Sequence, residues 1–282
     1  MIQCHFGALG RKAVQLRAIG ALTGPVVTAL HGEDITTYPS RFAASHYDVL
    51  FREGDLFLPV SARWNHTLGA LGCPMDRVRV HRMGIDLKTF QPRRSPEDSP
   101  SSLRLLVVAR LVEKKGIEDA IRAVAQLPGA YEFIVAGDGP LRQSLEELAA
   151  ALAPNGQIRF VGAQTRHEVL RLIQSSDIFV SPNRTAVDGD IEGIPVAIME
   201  AMASALPVVS TRHSAIPELV EHGVSGWLVD EGDVTALAER ICTLAADAGL
   251  RTRMGEAGRR VIASGWDLRV LTTQLEAHDR GL

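Results

Sequence analysis

Cysteine is scarce in this sequence. Cys4, Cys73 and Cys242 are the only three, they lie far apart, and none stands in a Cys-x-x-Cys spacing. That excludes a disulfide framework and a cysteine-rich zinc module, and it fits a reducing cytoplasm. Long apolar runs are missing as well: an Arg, Glu or Pro interrupts each one before the ~20 residues a membrane span needs. The opening MIQCHFGALGRK lacks the charged-then-apolar layout of a signal peptide. A cytoplasmic chain is expected, soluble or peripheral at the inner membrane. Neither sign of charge dominates, since 30 basic and 33 acidic residues leave a net −3 without long runs of either, which argues against nucleic acid as a partner. Aromatic residues make up only 5%, and Phe133, Phe160, Phe179 and Trp227 fall inside apolar runs, where they read as core rather than as sugar-stacking platforms.

What is present is enough apolar residue, 46% of 282, to build a sizeable core. Residues 91–102, QPRRSPEDSPSS, hold three prolines and four serines with no large apolar side chain, the composition of an exposed linker. After it, short β-branched runs alternate with helical patterns: LRLLVVA (103–109), EFIVA (132–136), QIRFV (157–161), DIFVS (177–181), LPVVS (206–210) and GWLVD (226–230). Between them, Ile117, Ile121 and Val124, then Leu141, Leu145, Leu148 and Leu152, repeat at helical spacing. Six strand-then-helix units predict a doubly wound parallel sheet, with its ligand crevice at the carboxyl ends of the strands. Before residue 91 the same style gives only PVVTAL (25–30), LFLPV (56–60) and VRVH (78–81), so the first domain is expected to be incomplete.

Chemistry-bearing residues concentrate at predicted strand ends. In DGDIEGIPVAIMEAMA (188–203), Glu192 and Glu200 stand eight apart around Gly193, Ile194 and Pro195. Pro195 marks a first helical turn. Glu192 then precedes the helix and Glu200 lies just over a turn inside it, so that both can face one ligand at a helix amino terminus. Two solvated acids near a helix start remain the plain alternative. In VARLVEKKG (108–116), Arg110 leaves a strand end and Lys115 follows five residues later, which suits a diphosphate clamp; Lys114 reads as a solvated loop charge. VAGDGPLRQSL (135–145) is a strand, a glycine turn and a helix, where Gly137 and Gly139 would admit a nucleotide close to the backbone. A nicotinamide fingerprint is not completed: its third glycine position is Arg142, and no acidic ribose hook follows at the next strand end. Asp188 and Asp190 resemble a metal-holding acid pair, but further oxygen ligands are missing, and no metal or other cofactor is expected. His31, in TALHGED, follows a strand end and is either structural or a catalytic polar group at the interdomain cleft. The other histidines, His213 and His222 among them, read as structural.

Taken in order, HGED (31–34), ARLVEKKG (109–116), AGDGP (136–140), FVGA (160–163), Glu192-x7-Glu200 and PVVST-x5-PELV-x4-SGWLV (207–229) form a collinear set covering about residues 28–230. The chain with this set resembles the retaining glycosyltransferases of family 4, and DGDIEGIPVAIMEAMA looks most like their exopolysaccharide and colanic acid branch. The resemblance implies the GT-B fold of two facing Rossmann-like domains. Residues 1–90 would be a partial acceptor-side domain, 103–265 the donor domain, and 266–282 a carboxyl-terminal helix returning to the first domain. It further implies that Arg110 and Lys115 contact the donor diphosphate, Glu192 the transferred sugar and Glu200 the ribose hydroxyls, with Gly162 and Gln164 near the base. The implied partners are a nucleotide sugar and a glycan or lipid-linked acceptor. The family begins with a full first domain, whereas this chain opens shortly before HGED. Self-association through the cut sheet is therefore expected, and a noncatalytic nucleotide-sugar binding remnant is the competing reading.

Overall fold

The computed structural model describes the chain apart from residues 37, 39–41, 43, 93–101, 155–156 and 280–282. Most of the expected linker, 93–101, thus lies outside the described residues. The chain forms two compact units. One comprises Met1–Gly84, Ala186–Ile194 and Leu268–Leu282; the other comprises Ile85–Thr185 and Pro195–Asp267.

The first unit carries a three-stranded parallel sheet in the order β1 (Ile2–His5), β2 (Val26–Leu30), β3 (Leu56–Pro59). Helices α1 (Gly7–Ala18), α2 (Asp48–Glu53) and α3 (Trp64–Ala70) accompany it. β2 is buried along its whole length, as expected of a central parallel strand covered on both faces. β1 holds little apolar residue and alternates between buried Cys4 and exposed Gln3 and His5, because it lies at the sheet edge. The VRVH segment, expected as a strand, is not one. Arg79 and His81 donate their N–H groups to the carbonyls of Phe57 and Pro59, and Val78 forms a single bridge to Phe57. Pro59 has no N–H to return, which stops the ladder there.

The second unit is built on a six-stranded, all-parallel sheet: β4 (Leu103–Val108), β5 (Tyr131–Ala136), β6 (Ile158–Gly162), β7 (Ile178–Ser181), β8 (Val208–Thr211) and β9 (Gly226–Val229). Their order is β6-β5-β4-β7-β8-β9, so the chain starts at the centre, winds out to one edge and returns across β4 to wind the other way. The strand order reverses between β4 and β7, where an open sheet opens its crevice. Helices α4 (Ile117–Val124), α5 (Arg142–Leu152), α6 (Arg166–Gln174), α7 (Val196–Ala203), α8 (Ile216–Leu219), α9 (Val234–Ala246) and α10 (Ala248–Gly265) follow the strands. Ile117, Ile121 and Val124 of α4 pack with Leu105, Val107, Phe133, Val135, Leu237 and Ile241 into one core. Leu106, Ile134, Phe179 and Val208 are fully or almost fully buried too, alongside buried Ile198, Met199 and Met202 of α7. On α5 only part of the expected stripe is covered: Leu145 is buried, whereas Leu141 and Leu152 at its ends are exposed. The last helix, α11 (Leu268–Asp279), belongs to the first unit, where Leu275 packs on Val27, Ala29, Leu56 and Leu58.

Candidate active site

The centre of the second sheet supplies the first part of the site. β4 ends at Val108, and Arg110 stands exposed two residues on. A cavity of about 330 Å³ opens here, lined by Val108, Ala109 and Arg110 after β4, by Ala136, Gly137 and Asp138 after β5, and by Ala163, Gln164 and Val169 beyond β6. The structure therefore gathers Arg110, Gly137 and Gln164 around one space. Gln164 is oriented by donating its side-chain amide to the Val161 carbonyl at 2.7 Å. Gly162 (φ 73°) accepts the Gly137 N–H at 2.8 Å, tying together the turns after β5 and β6.

Gly137 explains itself in another way. Its φ is +146°, and a Cβ there would lie 1.8 Å from the Ala109 carbonyl oxygen; at Gly139 one would lie 2.6 Å from that of Leu111. Both glycines let the turn after β5 press onto the turn after β4, which shapes the cavity wall that holds Arg110.

The turn carrying Lys115 is a 3-10 turn, Glu113–Lys115, closed by left-handed Gly116. Lys114, expected in solvent, is instead buried, with its carbonyl accepting the Arg184 N–H at 2.9 Å. Arg184 follows β7 and pairs with Asp119 at 3.4 Å and with Glu113 at 3.8 Å. Burial pushes the Asp119 carboxyl up while Arg184 opposes the shift. A Cβ on Gly116 would sit 1.8 Å from the Pro182 carbonyl oxygen. The turns after β4 and β7, on the two sides of the strand reversal, are thus joined by backbone contact and an ion pair. Lys115 is half-buried on this turn.

Pro195 is the cap residue of α7, which starts at Val196, and Glu200 sits just over a turn inside, half-buried. Burial raises its carboxyl above the usual range, and the charge of Arg166 pulls the other way. Farther along the sheet, buried His213 after β8 meets Glu231 after β9 at 2.6 Å, and Glu231 also accepts the Thr185 N–H at 2.7 Å. His213 is thus a tie between loops at the carboxyl ends of the strands, a structural role of the kind expected.

Glu192 and Gly193 lie in 186–194, which belongs to the first unit with His31. A Cβ on Gly193 would come 2.5 Å from the His31 carbonyl oxygen, and one on Gly32 would meet Gly193 at 3.5 Å. The structure therefore brings the Glu192 segment onto the His31-Gly32 turn; Glu192 is half-buried and Ile194 buried. Asp34 organises that turn. Its Oδ1 accepts the N–H groups of His31 and Gly32, both at 2.9 Å, and its Oδ2 accepts that of Gly7 at 3.0 Å. The Tyr47 hydroxyl donates to the Asp34 carbonyl. Burial raises the Asp34 carboxyl, and the three N–H groups oppose it. The His31 imidazole is lowered, first by burial and then by neighbouring His5, with Asp34 opposing. Asp34 was readable as the fourth letter of HGED, and Arg184 as a cation just past a strand end, the same signal that picked out Arg110. Asp188 and Asp190 share a turn in which Asp188 accepts the Asp190 N–H. Among the described residues, no group of three His, Cys, Asp or Glu side chains could hold a metal ion, and no helix is long and apolar enough to cross a membrane.

Comparison with known proteins gives a consistent set of likenesses. The profile of the family described as glycosyl transferases group 1 matches residues 90–261. The chain is 44% identical over 260 residues to the amylovoran biosynthesis glycosyltransferase AmsK of Erwinia amylovora, covering 90% of this chain and 61% of that protein. It is 44% identical over 245 residues to WcaL of Escherichia coli K12, whose name assigns it provisionally as a colanic acid biosynthesis glycosyltransferase, covering 84% of this chain and 59% of that one. The chain thus spans about three-fifths of the length of these relatives. Among solved structures, Anabaena HepE in complex with UDP superimposes with a TM-score of 0.86 at 21% identity, covering 100% of this chain and 79% of that one. A sucrose-phosphate synthase from Thermosynechococcus elongatus gives 0.84 at 21% identity, covering 99% and 73%. Both likenesses bear on the fold alone, which is the expected GT-B class, with three strands in the first sheet and six in the second.

Proposed function

The chain belongs to the group 1 glycosyl transferases, and from that premise we propose that it moves a sugar from a nucleoside-diphosphate donor to a hydroxyl of a glycan or lipid-linked acceptor in exopolysaccharide biosynthesis, with retention at the anomeric carbon. The observation that carries this reading is the cavity at the carboxyl ends of β4 and β5, with the Arg110 cation in its wall. HepE has been solved in complex with UDP, with UDP and glucose, and with UDP-glucose, which supports a nucleotide sugar here. AmsK and WcaL point to exopolysaccharide assembly.

In this reading the base lies by Gly162 and Gln164, Gly137 and Gly139 bring backbone to the nucleotide, and Glu200 takes the ribose hydroxyls. Arg110 and Lys115 meet the diphosphate. As the glycosidic bond breaks, negative charge grows on the departing diphosphate, and the cations of Arg110 and Lys115 stabilise it without a divalent metal. Glu192, beside Gly193, Ile194 and Pro195, contacts the sugar, which His31 helps to position. A departing phosphate oxygen accepts the proton of the attacking hydroxyl. The work is placed in the cytoplasm, peripheral to the inner membrane that would carry a lipid-linked acceptor, with self-association through the three-stranded sheet.

Thermal-shift screening with UDP-, GDP- and ADP-sugars tests the reading, because a ligand of the folded chain raises its melting temperature. Stabilisation by one donor is expected, and none by NAD. Release of nucleoside diphosphate should fall by about 10²–10³ in an Arg110→Ala, Lys115→Ala variant. Failure of every donor to stabilise the chain would refute the reading. Stabilisation without turnover on any acceptor would reassign it to nucleotide-sugar binding alone.

A further inference from the structure

His5 ends β1, and His31 follows β2, the strand paired with it. Their rings lie edge to edge and nearly parallel, 5.2 Å between centroids and 25° between planes, with His5 Nδ1 2.9 Å from His31 Nε2. The Phe6 ring stands 4.7 Å from the other imidazole, held there by a backbone φ of 70°, uncommon for a residue with a side chain. A contact of this length between two imidazole nitrogens needs one donor and one acceptor. The facing nitrogens therefore share a single hydrogen, and the tautomer of one ring dictates that of the other. Protonating both rings would set two N–H groups against each other across the same gap, so a second proton is resisted.

We propose that His5 is a positioning residue for His31: the shared hydrogen fixes whether the remaining nitrogen of His31, Nδ1, is offered as donor or as acceptor. The inference rests on the transfer reading only in giving His31 a sugar to position. The titratable groups around His31 are Asp34 in its own turn, His5 from β1, and Glu33 and Glu192 as chain neighbours of Gly32-Asp34 and Gly193. From α1 the turn is reached by the Gly7 N–H, and from α3 by Trp64, neither of which titrates. Asp34 favours protonated His31 and His5 disfavours it, so removing His5 leaves the Asp34 effect less opposed.

The test is a ring-nitrogen NMR titration of the full chain, wild type against His5→Ala and His5→Asn, together with UDP release from UDP-glucose. Wild type should show a scalar coupling between His5 Nδ1 and His31 Nε2 across the shared hydrogen. In both variants His31 should titrate as a single curve shifted to higher pH. UDP release by His5→Ala should drop on the order of 10-fold in kcat, with KM for UDP-glucose little changed. His5→Asn, whose amide can occupy the place of Nδ1, should recover most of that loss without restoring the coupling. An unchanged His31 curve in both variants, or wild-type kcat in His5→Ala, overturns the proposal. A scalar coupling across the pair in a wild-type chain that releases no UDP from any donor keeps the shared hydrogen and refutes the transfer reading instead.

Discussion

Gly116 offers a quantitative test of how the two central loops are joined. Its backbone is left-handed (φ +60°), and a Cβ would fall 1.8 Å from the Pro182 carbonyl oxygen. Alanine there meets two separate penalties. The first is the left-handed conformation, about 1–2 kcal/mol for a residue with a Cβ, partly offset by the stiffer unfolded chain. The second is steric: to reach even a tight 3.0 Å contact, two backbone segments must separate by roughly 1.2 Å in an interior packed like a crystal. Gly129 isolates the first penalty, because it is also left-handed (φ +87°) with nothing within 4 Å of its Cβ position. Gly129→Ala should cost about 1 kcal/mol, and Gly116→Ala about 3 kcal/mol. For a unit of this size these correspond to falls in Tm of about 3 °C and about 10 °C. Because Lys115 is the neighbour of Gly116, only Gly116→Ala should also weaken the donor's thermal shift. Melting curves with and without UDP-glucose measure both effects. Equal, mild losses in the two variants would refute the account of the loops as joined by backbone contact.

Two further outcomes follow from the described hydrogen bonds and carboxyls. Asp34→Asn turns an amide NH₂ toward at least one of the three backbone N–H groups that the carboxylate accepts; it should cost about 1–3 kcal/mol, with faster hydrogen exchange at Gly7, and unchanged protection there would count against it. Glu200 has a carboxyl raised by burial, so its charge costs folding energy above that raised value and the cost disappears as pH falls through it. Glu200→Gln should therefore melt higher than wild type at neutral pH, converge with it toward acid pH, and lose donor affinity throughout; a gap that widened on acidification would reverse the sign.

The second sheet was legible because each of its strands is a short apolar run bounded by turn residues, and position at the strand ends then ranked Arg110 above the many other charges. Contact partners were not legible. Nothing in VEKKG distinguishes buried Lys114 from a solvated lysine, since the segment bonded to its backbone, at Arg184, comes seventy residues later. β1 escaped notice because an edge strand of four residues with exposed Gln3 and His5 carries no apolar run. His213 looked inert because its partner, Glu231, comes from the next strand end. At Gly137 the contact with the Ala109 carbonyl was not legible either, because it joins two turns far apart in the chain.

The grouping of 186–194 with the first unit matters for anyone recombining enzymes of this family. A cut guided by sequence profile would transplant residues 90–261 as a block, taking Glu192 and Gly193 with it. The carbonyl against which Gly193 rests, and the turn that Asp34 holds, would stay behind with the recipient. Such a hybrid inherits an interlocking surface whose halves have separate ancestries. Its success should depend on whether the recipient keeps a glycine at the position of Gly32 and room beside the carbonyl at the position of His31, more than on overall similarity between the parents.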